Sequence, residues 1–395
     1  MTNLLEKANK LKPYIVKIRR ELHACPELGF QEYKTSRIIQ KELKKLGIPY
    51  KVMAKTGIVA LIKGALPGKV IAVRADMDAL PVVEETGVPF ASRNKGMAHS
   101  CGHDAHVAGV LGLAKLLTGM KKEIKGSVKL LFQPCEEMGE VKLDGAMEMV
   151  KAGAMKNPVP GAVIGLHVHP PMHTGTIELN YGKLYANADI FEIKVRGVGG
   201  HGAVPQKSVD PLLAAAAIIL NLQSIVARNI SPLNSAVVSV TMIKAGEATN
   251  VIPPEAHLLG TVRSLDNETQ KLIIKRMKAV VNSTAKVFGA RAWLKYTVGY
   301  PFFSNDPKLT GLVENAAGKI LGKKNVHIAT QPSMGGENFG HFAKKAPGCF
   351  FNLGIVDGKK STSYALHNPK FNIDENALPL GTAVLAQACF DFLDL

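Results

Sequence analysis

The sequence has no run approaching the roughly 20 apolar residues that a bilayer-crossing helix requires. Its longest candidate, Leu212 to Leu220, is followed by Asn221 and Gln223, so no membrane partner is expected. Cysteine is scarce. The five present, Cys25, Cys101, Cys135, Cys349 and Cys389, are odd in number and widely spaced, which argues against a disulfide framework and leaves at least one thiol for chemistry or metal. Aromatics are few, 6% with a single Trp. Acidic side chains are the minority charge: 32 Asp+Glu stand against 49 Lys+Arg, giving a formal net charge of +17 and a pI near 9.5. Such a balance raises nucleic acid as a partner, because clustered Lys and Arg neutralising phosphates are its usual footprint. The clustering is absent. Lysines come as scattered pairs such as Lys44-Lys45, Lys121-Lys122 and Lys344-Lys345, with no longer basic run and no interleaved aromatic platform. The expectation is a solvated basic surface that attracts anionic substrates and no nucleic-acid partner, with a non-catalytic, nucleic-acid-binding module as the competing reading. Internal repeats and low-complexity linkers are also lacking. The segment MTNLLEKANKLKPYIVKIRRELH carries charge in every turn and has neither the apolar core nor the cleavage site of a secretory signal, so a cytoplasmic location is expected.

What is present supports a large core. Hydrophobic residues make up 46% and charged residues 21% of 395, a length that suggests two or three domains, or one domain carrying an insertion. Helical spacing over 4–22 and 34–46 is followed by short apolar strands at 58–62 and 70–74, a helix at 106–117, a strand at 128–132, a helix near 145–152 and a strand at 162–168. Strands this apolar, set between helices, predict a largely parallel α/β sheet covered on both faces. From about Tyr185 the pattern changes to alternation: a strand at 188–195, a helix at 210–228, strands at 236–243 and 257–263, a helix at 267–288 and a strand near 293–298. That is a βαββαβ order, the ferredoxin-like arrangement, as an inserted unit. Helices at 309–321 and 375–392 around a strand at 349–353 then resume the first texture, predicting a first domain over 1–184 and 299–395 interrupted by an insertion at 185–298.

Several clusters carry chemistry. The densest is His99-Ser100-Cys101-Gly102-His103-Asp104-Ala105-His106, where a thiol and imidazoles two residues apart can converge on one ion. The same string also reads as a helix N-terminus with a capping Ser or Asp. Glu136 and Glu137 follow the 128–132 strand, and adjacent carboxylates there repel unless a cation or a proton compensates. One can ligate a metal while the other acts as a base. His167 and His169 share one strand face, so spacing does not choose between them. Asp76 and Asp78 end a strand and can support a metal site from behind, or simply mark a solvated strand exit. His201 sits in a glycine-rich turn, Asn250 in the string Ala248-Thr249-Asn250-Val251-Ile252-Pro253, and His367 alone in a late loop. Gly335-Gly336-Glu337-Asn338-Phe339 is a glycine turn without phosphate-loop spacing.

These strings, together with RRELHACPELGFQE (19–32), RADMDALP (74–81), GTVRS (260–264) and ALHNPKF (365–371), occur in the order seen in one group of co-catalytic metallopeptidases. The chain resembles the aminoacylase and carboxypeptidase family, in the branch of N-acyl-amino-acid amidohydrolases, hippurate hydrolases and plant indole-acetyl-amino-acid hydrolases. The resemblance implies a two-metal, aminopeptidase-like α/β catalytic domain interrupted by a lid that also mediates homodimerisation, singly or as a dimer of dimers. It further implies two divalent ions held by Cys101, His103, Glu137, His167 and His367, with Cys101 or a nearby water bridging them and Glu136 as general base. A thiolate with imidazoles and a carboxylate suits Zn, and Mn, Co or Ni can occupy such a mixed site. In the lid, His201 would stabilise the oxyanion of a neighbouring subunit's site, and Asn250 and Arg263 would hold the substrate carboxylate. Gly336 would line the substrate pocket. Relatives commonly carry Asp where this chain has Asn338, which bears on that pocket's wall. The implied activity is hydrolysis of a small-molecule N-acyl amino acid, with a carboxypeptidase acting on short or blocked peptides as the alternative.

Overall fold

The computed structural model describes residues 3–137 and 144–395, so the first two residues of the N-terminal segment discussed above lie outside the described residues. The chain forms two compact units: Met1–Leu184, Ser304–Gln331 and Asn338–Leu395 make the first, and Tyr185–Phe303 with Pro332–Glu337 the second. The second unit thus ends a few residues beyond 298 and takes in a short later excursion that has no counterpart in the sequence reading.

The first unit is built on an eight-stranded sheet in the order Tyr50–Met53, Gly57–Lys63, Lys125–Gln133, Leu66–Asp76, Ala162–His173, Gly348–Val356, Ile177–Leu179, Val326–Ile328. Its four central strands run parallel, and their apolar stretches are buried on both faces. Antiparallel pairing enters on either side of these four. The helices His103–Gly119 and Ala377–Leu393 are buried nearly all round because other helices cover them from outside, and this explains their lack of a polar face. The helix expected over 4–22 is two, Leu4–Lys10 and Lys12–His23, divided at Leu11 just before Pro13, whose missing N–H is tolerated in a first turn. Three short strands, Tyr50–Met53 and Val326–Ile328 at the two edges and Ile177–Leu179 one place in from the second, were below the reach of periodicity.

The second unit carries a four-stranded antiparallel sheet in the order Ala236–Lys244, Glu255–Ser264, Ala188–Arg196, Arg291–Tyr300. Helices Pro211–Asn229 and Asn267–Val287 pack side by side on it, completing the βαββαβ order. The alternation is physical: Phe191, Ile193 and Val195 enter the core while Ile190 stays exposed. Pro211–Asn229 is long and apolar enough to cross a membrane by length and composition, which a reading confined to Leu212–Leu220 undercounts. Its inner face, with Ala214, Ala215, Ile218, Leu222 and Ile225, is seated in this unit's own core.

Candidate metal centre

The carboxyl ends of the four central strands deliver the first unit's chemistry to one place, where open α/β sheets form sites. Leu66–Asp76 leads into Asp78, Lys125–Gln133 into Glu136 and Glu137, Ala162–His173 carries His167, and the chain after Gly348–Val356 returns with His367. The thiol segment enters beside them through Gly102, which has φ +86°, and a Cβ there would lie 2.4 Å from Val168 Cγ2. Only glycine lets this turn press against the strand that bears His167.

Cys101 Sγ stands 3.4 Å from His167 Nε2. Glu137 Oε1 is 3.7 Å from His103 Nε2 and 3.4 Å from His367 Nε2. The donor atoms of Cys101, His103 and His167 lie within 4.8 Å of one another, as do those of Cys101, Glu137 and His367, and those of His103, Glu136 and Glu137. Cys101 is common to the first two groups. His167 lies in one of these groupings and His169 in none of those found among the described residues. His367 has φ +66°, and its amide donates to the Ser100 carbonyl at 2.7 Å, which pins the late loop beside Cys101. A side chain in that region is strained and persists because its surroundings over-determine it.

The electrostatics fit a cation. His103 Nδ1 is 3.2 Å from Asp78 Oδ1, which turns Nε2 toward Glu137. Buried His103 Nε2 and Glu137 Oε1 have no hydrogen-bond partner in good geometry, an arrangement that calls for another ligand. Burial works against the charge on His103, yet Asp76 and Cys101 carry it well above the usual imidazole value. Burial likewise opposes the Glu137 charge, but His367 and His103 bring that carboxyl below its ordinary value. Burial and Glu137 push the Cys101 thiol well up, while burial and the neighbouring His106 bring His167 down to about 3. Thiol and imidazolium groups must shed their protons to bind a divalent ion.

A second layer braces these groups. His106 Nδ1 lies 2.5 Å from Asp76 Oδ1 and its Nε2 accepts the Val168 amide at 3.0 Å, so both ring nitrogens are engaged. Arg74 NH1 meets Asp76 Oδ2 at 2.8 Å. Burial opposes the Asp76 charge, but Arg74, His103 and His106 hold the carboxyl well below its usual range. Asn338, where relatives commonly carry Asp, is wholly buried in this layer. Its Oδ1 accepts from Arg74 NH2 at 3.1 Å and Gln133 Nε2 at 2.8 Å, and its Nδ2 faces Cys135 O at 3.4 Å and Asp144 Oδ1 at 3.3 Å. An amide serves acceptors on that second side; a carboxylate would meet Asp144 with like charge. Arg74, Gln133 and Glu32 went unassigned in the sequence, although Arg74 and Glu32 lie inside strings already singled out.

In the second unit, His201 and Asn250 come together: Gly200–His201 pairs with Val251–Ile252, and the Gly202 amide donates to Asn250 O at 2.8 Å. His201 is exposed, and its Nδ1 accepts the Ala203 amide at 3.0 Å, which assigns the ring proton of the neutral form to Nε2. Arg263 lies on the sheet with NH1 turned to its own strand, to Val262 O at 3.0 Å and to Thr261 Oγ1. Gly336 packs where a Cβ would be 2.8 Å from Ala188 Cβ.

Residues 72–391 match the profile described as peptidase family M20/M25/M40. The N-acetylcysteine deacetylase of Bacillus subtilis (strain 168) is 40% identical over 378 residues, spanning 94% of this chain and 95% of the relative. Thermostable carboxypeptidase 2 of Saccharolobus solfataricus is 39% identical over 386 residues, 97% of this chain and 96% of the relative. A solved Bacillus subtilis protein, described as a dinuclear metal binding peptidase from the M20 family, superposes with a TM-score of 0.84 at 35% identity over 98% of this chain and 99% of that one. Likeness of this extent, carried end to end and joined to a cluster of side chains able to hold metal ions, makes the chain a metal-dependent amidohydrolase that belongs to peptidase family M20/M25/M40.

Proposed function

We propose that the protein hydrolyses N-acyl amino acids to a carboxylate and a free amino acid at a site for two divalent ions. The observation that carries this reading is the pair of donor groups sharing Cys101, with Glu136 alongside. Cys101, His103 and His167 would hold one ion and Cys101, Glu137 and His367 the other, a set that suits Zn and tolerates Mn, Co or Ni. When bound, such ions acidify water and polarise an amide carbonyl. Glu136 takes the proton of the attacking water and returns it to the leaving nitrogen. His201, with Nε2–H as donor, stabilises the developing oxyanion, and Asn250 and Arg263 hold the substrate carboxylate, with Gly336 nearby. All five cysteines are unpaired, which supports a reducing, cytoplasmic setting.

The test is elemental analysis followed by assays on N-acetyl-methionine, hippurate and a blocked dipeptide, before and after chelation. The expected result is two divalent ions per chain, loss of activity on chelation and faster turnover of the N-acyl amino acids. Preference for the blocked dipeptide would establish the carboxypeptidase reading, which the name of the Saccharolobus relative favours. A protein without metal that is retained on DNA in a salt-dependent way would overturn both.

We further infer a homodimer formed through the second unit, where Leu213 and Leu220 are 57% and 72% exposed on the outer face of Pro211–Asn229. His201 then acts in the neighbouring subunit's site, and removing a single oxyanion donor costs about 10²–10³-fold in rate. Mixing His201→Ala with Glu136→Ala subunits should restore part of the activity that each variant lacks alone. Absence of rescue in demonstrably mixed dimers counts against action in trans.

A further inference from the structure

The string at 19–32 belongs to the resemblance, yet the reaction described above gives its last residue nothing to do. Glu32 stands at the N-cap position of the helix Tyr33–Lys45, where a carboxylate ordinarily accepts the first free amides of its own helix. It makes no such bond. Glu27 does so instead, taking the Lys34 amide at 2.8 Å and the Thr35 amide at 2.9 Å. Glu32 is turned inward and fully buried, with Oε2 accepting from the Thr56 hydroxyl at 2.6 Å and Oε1 accepting the Cys135 amide at 2.8 Å.

Cys135 precedes Glu136 and holds φ +49°, the left-handed region that a side chain occupies only under constraint. The next two amides, of Glu136 and Glu137, both donate to Asp78 Oδ2, at 2.8 and 2.9 Å. Three successive amides therefore converge on two buried carboxylates drawn from different parts of the fold. The Cys135 carbonyl is fixed from the other side by the Gly145 amide at 3.1 Å. Buried acceptors in fixed places hold such a strained turn by pairing its amides, which burial would otherwise leave unsatisfied.

We propose that Glu32, held by Thr56, is a positioning residue that locks the left-handed turn at Cys135 and so aims the Glu136 carboxylate, in tandem with Asp78. The inference rests on the reading of Glu136 as the proton-transferring group. What Glu32 supplies is an acceptor in a set place, and burial with the neighbouring Asp78 already pushes its carboxyl up to about 7. An uncharged acceptor of the same shape should therefore serve.

The experiment compares wild type, Glu32→Gln, Glu32→Ala and Thr56→Val by amide hydrogen exchange at Cys135 and Glu136, by metal content, and by kcat and KM on N-acetyl-methionine. Glu32→Ala should keep its metal, exchange at Cys135 at least about tenfold faster, and lose up to about 100-fold in kcat with KM nearly unchanged, as slight misplacement of a reacting group does. Glu32→Gln should restore both protection and turnover, and Thr56→Val should fall between. If Glu32→Ala does not fold, the Gln and Val variants carry the test on the same readouts. Unchanged exchange at Cys135 in Glu32→Ala, or a Gln variant as impaired as Ala, overturns the proposal. Exchange is read without turnover, so an error in the role of Glu136 would appear as normal activity in Glu136→Gln and leave the exchange result standing.

Discussion

Glu136→Gln should lower kcat by about 10²–10⁴-fold while the protein retains two divalent ions per chain. The substitution keeps the size of a buried side chain and removes only its ability to take and return a proton. The proposed ligands are Cys101, His103, Glu137, His167 and His367, so metal content should hold. The backbone should hold as well, because the Glu136 amide is fixed to Asp78 Oδ2 at 2.8 Å whatever the side chain. KM should change little, since the lost interaction develops only as the water is deprotonated. Elemental analysis with steady-state kinetics checks both halves. Near-normal kcat moves the base elsewhere, whereas joint loss of metal and activity makes Glu136 a ligand.

Much of this arrangement was legible because its signals are local. Alternation in 188–195 set against helical spacing in 210–228 identified the βαββαβ unit, and apolar strands separated by helices identified the α/β layer. Donor-type residues stood out as strings at strand ends, and it was the family resemblance, not spacing, that selected a ligand set among them. Local signals stop at choices that depend on register: residues i and i+2 on a strand are equivalent in spacing, and the turn at Gly102 pressing on Val168 is what brings His167, rather than His169, to Cys101. They also stop at partners distant in the chain. Cys135 is held by a carboxylate 103 residues away, and Arg74 reaches an amide 264 residues away, so neither pairing has a spacing to detect. The setting of Asn338 escapes local signals for the same reason. Its burial depends on Arg74, Gln133 and Asp144, which no neighbouring residue announces.

Arg19→Met should destabilise the protein by about 3–5 kcal/mol, because it leaves buried charge without its counterion. Arg19 and Asp104 are each 1% exposed and joined at 3.0 Å, and Arg19 also reaches Glu375 at 3.1 Å and Asn372 at 3.0 Å. His23 completes the network, with Nδ1 2.7 Å from Asp104 Oδ2 and Nε2 3.1 Å from Glu84 Oε1. Burial opposes the charge on Asp104, yet Arg19 and His23 hold its carboxyl far below the usual range; burial opposes protonation of His23, but Asp104 and Glu84 raise it above the ordinary imidazole value. Asp104, lowered in the fold, contributes stability that is present above its unfolded value near 3.9 and lost as the pH falls. His23, raised in the fold, contributes stability that is present below about 6.5 and lost as the pH rises through its folded value. Without Arg19, Asp104 depends on protonated His23 alone, so the variant should lose further stability above about pH 6.5 more steeply than wild type. An Arg19→Met/Asp104→Leu double variant, which removes both charges, should recover part of the loss. Denaturant midpoints across pH 4.5–8.5 measure all three. A loss below about 1 kcal/mol, or a gap from wild type that is flat with pH, would show that the network is not what anchors Asp104, and with it the first turn of the helix that carries His103.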